Sequence, residues 1–177
     1  MMPLTVLTLS GSLRKSSLNT AMLTMGADCA PPGLTLNRHR GLGDLPLYNP
    51  DLEVQEPPPV ARLRHEIAKA DALLIASPEY AHGVSGVMKN ALDWMVASGV
   101  FVDKPVVLWN ASPRASHALA ALRETLTVMS ARLVDEAGLE LLIEWPDTSA
   151  PPANPDPGSM RQALMFLAQV LRSQFAS

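Results

Sequence analysis

A single cysteine, Cys29, excludes an internal disulfide, and no charged leader or long apolar run occupies Met1 to Ser10, so neither a signal peptide nor a membrane span is expected and the cytoplasm is the default compartment. Neither sign of charge dominates: 14 Lys and Arg against 17 Asp and Glu give a net charge of -3, which argues against a nucleic-acid partner. There is no internal repeat. No G-x-x-x-x-G-K-[ST] occurs, which argues against a P-loop NTPase, and no G-x-G-x-x-G, which weakens a dinucleotide-binding Rossmann reading. What remains is a chain of 177 residues, 47% apolar, able to bury one core without a metal or a bridge and expected to form one domain over 1–177.

The most informative stretch is LTVLTLSGSLRKSSLN, residues 4 to 19. Leu4, Val6, Leu7 and Leu9 form a short branched apolar run suited to a strand covered on both faces. Gly11 breaks it. Leu18, Ala21, Met22 and Met25 then recur at helical spacing, so a helix starts near Ser17. The first amides of a helix lack partners within it, and the macrodipole adds partial positive charge there, which favours an anion. Ser12, Ser16, Ser17 and Asn19 add donors, Arg14 a planar fork and Lys15 a mobile charge. This is the pattern of a monophosphate grip, although the same serines also serve as simple helix caps. A cysteine phosphatase is poorly supported, since the loop holds no thiol. The next strand, Leu34 to Arg40, ends in Arg38-His39-Arg40 without the acidic residue that grips an NAD ribose.

A second segment, 71 to 95, begins with a buried strand, Ala72 to Ala76, that ends in the extended turn Ser77-Pro78-Glu79-Tyr80. Val84, Val87, Met88, Ala91, Leu92 and Met95 follow as an apolar helical stripe, which is core. Gly83 lets the backbone of the intervening loop approach a flat ligand. Further elements are expected at Val60 to Ala70 (helix, led in by Pro57 to Pro59), Val106 to Trp109 (strand), Ala115 to Ser130 (helix), Arg132 to Asp135 (strand) and Met160 to Gln174 (helix). The proline-rich stretch Trp145 to Gly158 reads as an excursion. This alternation predicts an α/β fold, a doubly wound five-stranded parallel sheet in the order 2-1-3-4-5 with helices on both faces. The first two loops then meet at the switch point, where such sheets bind ligands.

The pattern G-S-x-R-x-x-S-x-N at Gly11, Ser12, Arg14, Ser17 and Asn19, the Pro78-Glu79-Tyr80 turn, and G-x-x-K-N-A-x-D-W from Gly86 to Trp94 together resemble the flavodoxin-like NAD(P)H-dependent FMN reductases, a family that includes quinone, azo-dye and chromate reductases. LPLYNPDLE at 45 to 53 is a weaker match. The resemblance implies FMN as cofactor with NADPH or NADH as hydride donor. It places Ser12, Arg14, Ser17, Leu18 and Asn19 at the FMN phosphate, Pro78, Glu79, Tyr80 and Ala81 along the ring and ribityl chain, and Ser112 at a further flavin contact. It also implies a ping-pong reduction of quinones or similar small acceptors through flavin N5, and a homodimer or homotetramer, with Tyr48 exposed for that contact. No metal is implied, and no side-chain acid or base is required.

Tyr80 and His82 are the side chains best placed to touch substrate, and an imidazole can donate a proton near neutral pH. His39 and His65 fall on a strand end and a polar helix face, and His117 is a marginal candidate because it follows the expected flavin loop. Glu79 either fixes the turn and pairs with a neighbouring subunit or meets the flavin. The chain departs from the family with Ala81 and Ser85 where Asn and Pro are usual, and with a glycine-free loop at 110 to 117. Two alternatives stay open: a flavodoxin-like electron carrier, which the modest charge disfavours, and a flavin-free interaction protein.

Overall fold

The computed structural model describes residues 3–112, 114–141 and 157–174. Strand β1 (Leu4–Ser10) pairs in parallel with β2 (Leu34–Arg38) on one side and β3 (Ala72–Ala76) on the other; β3 pairs with β6 (Pro105–Asn110), and β6 with β7 (Arg132–Leu133). The expected order 2-1-3-4-5 is the order observed, written β2-β1-β3-β6-β7. Parallel strands need crossovers, and the helices supply them: α1 (Leu18–Asp28), α2 (Pro58–Lys69), α3 (Gly86–Met95), α4 (Ser116–Val128) and α5 (Pro157–Gln174).

Alternation along the strands sorts the core into two layers. Leu4, Val6, Leu74, Val107 and Trp109 pack with α1 and α5 through Met22, Leu23, Leu167 and Leu171. Leu7, Leu9, Leu73, Ile75 and Leu108 pack with α2, α3 and α4 through Leu63, Ile67, Met88, Leu92, Leu122 and Leu126. Each such side chain contributes about 1.5 to 3 kcal/mol by leaving water. On the first face α1 lies close to the sheet because Gly26 has no side chain: a Cβ there would stand 2.6 Å from the Trp109 ring. The Trp109 Nε1–H donates to the Ala137 carbonyl at 3.0 Å, which satisfies a fully buried indole.

Several boundaries differ from the sequence expectation, each for a local reason. Pro58 and Pro59 lie inside the first turn of α2 instead of leading into it, because a fixed φ and a missing N–H cost nothing there. Pro157 and Gly158 likewise open α5, while the rest of the stretch expected as an excursion from Trp145 lies outside the described residues. The fifth strand position is shared: β7 pairs with the start of β6 and β8 (Leu139–Glu140) with its end, separated by a short 3-10 turn, Asp135–Ala137. Val84 is not helical. Glu79 and Tyr80 (β4) pair with Val84 and Gly83 (β5) as a two-residue hairpin, and α3 starts after it. Tyr48 is half-buried, not exposed: its ring meets Trp94 edge-on at 5.2 Å and its hydroxyl donates to Glu53 at 2.9 Å, which raises its pKa. Among the described residues no helix is long and apolar enough to cross a membrane.

Candidate functional site

The β1–α1 loop stands between two cavities at the carboxyl edge of the sheet. The first, of about 320 Å³, is lined by Leu18 and Asn19 at the start of α1, by Ser77, Pro78 and Glu79 after β3, and by Asn110, Ala111, Ser112, Arg114 and Ala115 after β6. The second, of about 410 Å³, lies toward β2 and is lined by Ser12 to Lys15 on the loop and by Arg38 to Asp44. The structure therefore divides the expected phosphate residues, with Leu18 and Asn19 on one side, Ser12 and Arg14 on the other, and Ser17 between them as the buried cap of α1. Ser17 Oγ accepts from the Thr20 amide at 3.2 Å, and its carbonyl accepts from Ala21. The capping role and an open hydroxyl proton coexist, since Oγ is only accepting in that bond.

The first loop is held against the second by one side chain. Gly11 N donates to the Ala76 carbonyl at 2.8 Å, and buried Ser85 Oγ donates to the Gly11 carbonyl at 2.7 Å. Ser85 Oγ also accepts from Met88 N at 3.3 Å, so it caps α3 while tethering the loop. Gly11 must be glycine at that approach, because a Cβ would lie 2.9 Å from Ser77 Cβ and from Ser85 Oγ.

The Glu79 carboxylate is engaged within the chain. Its Oε2 accepts from the Ala118 amide at 2.8 Å, in the first turn of α4, a helix whose own cap, Ala115, offers no side-chain acceptor. A carboxylate at a helix N-terminus also gains from the macrodipole. The hairpin tip turns through Ala81 (φ 48) and His82 (φ 59), both left-handed as a two-residue hairpin of this kind requires. The His82 ring then stacks on His117 at 4.3 Å between centroids. Tyr80 is 60% exposed, and Tyr80, Ala81 and His82 stand on this hairpin outside the lining of both cavities.

Among the described residues, two buried atoms in the first cavity's lining have no partner: Asn19 Oδ1, an acceptor, and Asn110 Nδ2, a donor. Asn110 Oδ1 is used, accepting from Ser112 N at 3.1 Å. A buried polar atom without a bond costs about 1 to 3 kcal/mol, and such a pair marks a place built for another molecule's polar groups. Sequence reasoning gave Asn110 no role. Its signal was a lone amide closing the apolar run Val106 to Trp109. His39, at the end of β2, has a side chain only 1% exposed, and its Nδ1 lies 2.6 Å from Glu66 Oε2. Among the described residues no group of three or more His, Cys, Asp or Glu is arranged for a metal.

These features coincide with a known family. The family of NADPH-dependent FMN reductases matches residues 4–138. An NAD(P)H-dependent FMN reductase of Pseudomonas aeruginosa is 39% identical over 130 residues, covering 70% of each chain. An NADPH:quinone oxidoreductase of Arabidopsis thaliana is 44% identical over 109 residues, which span 58% of this chain and 55% of that protein. Among solved structures, the flavoenzyme FerB of Paracoccus denitrificans, an NAD(P)H:(acceptor) oxidoreductase, superposes with a TM-score of 0.77 at 30% identity over 95% of both chains. The chain therefore belongs to the NADPH-dependent FMN reductase family, as a flavodoxin-like oxidoreductase whose cofactors are FMN and a nicotinamide nucleotide.

Proposed function

We propose that the chain holds FMN in the first cavity and passes hydride from NADPH or NADH to quinones or similar small acceptors in a ping-pong cycle. The observation that carries this reading is the unpartnered pair Asn19 Oδ1 and Asn110 Nδ2 in a cavity at the N-terminus of α1. The residues present fit the cofactor. The leading amides of α1, the Ser17 hydroxyl and the Asn19 amide would bind the phosphate from the first cavity, and the Ser12 hydroxyl and Arg14 guanidinium, which line the second, would meet it from the other side of the β1–α1 loop. The Pro78-to-Ala81 backbone and Ser112 would border the ring and ribityl chain.

FMN supplies the hydride relay when bound. The protein orients and shields it. Glu79 spends its carboxylate on Ala118, so its part at the flavin is through its backbone. That bond, with the His82–His117 stack, fixes the hairpin that carries exposed Tyr80, and Tyr80 and His82 would meet the acceptor there. A homodimer or homotetramer is supported by apolar side chains left in water on the segment after β2, Leu47 at 84% and Val54 at 91%, and light scattering tests it.

Replacing Arg14 with Ala should weaken FMN binding about tenfold, the equivalent of one charge-assisted bond of about 1.4 kcal/mol. Fluorescence titration of FMN reads this directly, and an unchanged dissociation constant would contradict the phosphate assignment. Steady NADPH oxidation in the presence of a quinone separates the enzyme from an electron carrier.

A further inference from the structure

The second cavity has a charge of its own. Lys15, Arg38 and Arg40 line it together with Arg14, and Asp44 is the one carboxylate in the lining. Asp44 is itself drawn toward Arg62, whose Nη2 lies 3.7 Å away. Arg38 is half-buried, and among the described residues its one side-chain bond is a long contact from Nη1 to Thr24 Oγ1 at 3.5 Å, which leaves most of its five donors for another partner. Behind them His39 is buried with Nδ1 held by Glu66 and with Nε2 lacking a partner. In a protein of net charge -3 such a concentration of cations is local, not a general property of the surface.

Arg14 is assigned above to the flavin phosphate, which leaves Lys15, Arg38 and Arg40 for a second anion. We propose that this cavity seats the 2′-phosphate of NADPH, and that Arg38 and Arg40 thereby set a preference for NADPH over NADH. The inference rests on the proposed function, since it names the hydride donor of that site. A 2′-phosphate is a monoester carrying about -1.5 to -2 charges near neutral pH, with three acceptor oxygens, and guanidinium forks match that geometry with paired bonds. NADH carries only a hydroxyl at that place and gains none of this. The two cavities border the same segment, the second lined by Ser12 to Lys15 of the β1–α1 loop and the first by Leu18 and Asn19 just after it.

The test is a calorimetric titration of the purified protein, with FMN added, using 2′,5′-ADP and 5′-ADP as probes, for the parent chain and for R38A/R40A. The parent chain should bind 2′,5′-ADP at least tenfold more tightly than 5′-ADP, and the double variant should lose that difference while keeping its FMN affinity. In turnover, kcat/KM for NADPH should fall at least tenfold more than kcat/KM for NADH. Equal binding of the two probes by the parent chain would overturn the proposal whatever the variant does. Displacement of FMN by 2′,5′-ADP would also overturn it, by giving the cavity to the flavin's own phosphate. Failure to bind FMN at all would instead overturn the proposed function, and the two probes would still decide the cavity.

Discussion

At the scale of single residues, one hydroxyl carries a large share of the site's order. Ser85 caps α3, donates to the Gly11 carbonyl and so holds the β1–α1 loop against the hairpin segment. Ser85→Ala should cost about 1 kcal/mol or somewhat more, since a buried carbonyl loses its donor as well as the helix its cap, and a lower urea midpoint at unchanged slope would show it. The hairpin tip stores strain in the opposite sense. Ala81 sits at φ 48, a region that asparagine tolerates better than alanine. Ala81→Asn should therefore raise stability by about 0.5 to 1 kcal/mol, read as a higher thermal midpoint; no change would mean that the Ala81 backbone is not strained. The sequence showed the departures at 81 and 85 but not their meaning, because a backbone angle and a contact across 74 residues of chain leave no local pattern.

At the scale of elements, strands and helices were legible wherever apolar periodicity was strong: the span of β3 was read to the residue, and α1 to within one residue of its start. Edges were less so. The split of β7 from β8 and the hairpin β4–β5 each involve two-residue strands, too short to show a period. The role of Glu79 was invisible for a different reason: it caps a helix 39 residues away. Glu79→Gln keeps an acceptor for Ala118 but removes the charge from the N-terminus of α4, so stability should fall by only about 0.3 to 1 kcal/mol, with Glu79→Ala costing more. At the far end of α2, Lys104 Nζ donates to the Ala70 carbonyl at 2.6 Å. Burial lowers its pKa from 10.5, with Asp71 opposing in part. The unfolded chain then holds that proton more tightly, so this group favours folding increasingly as pH rises from below the lowered value toward 10.5. Lys104→Met should remove that gain, which urea unfolding of both proteins at about pH 8 and about pH 10 would reveal.

At the scale of the whole molecule, the doubly wound order brings three loops, after β1, β3 and β6, to one edge of the sheet, and the candidate site is made of them. The topology and the loops after β1 and β3 were readable from alternating strands and helices together with two motifs in register. The division of the expected phosphate residues between two cavities was not, because it depends on which way each side chain of the β1–α1 loop turns. The account as a whole rests on that edge holding a flavin that accepts hydride. Its most direct test is the visible absorbance spectrum of the purified protein with FMN, recorded before and after NADPH is added without oxygen. A protein-bound flavin band that bleaches promptly is the result expected. A bound flavin that stays oxidised, or a protein that retains no flavin, would contradict it.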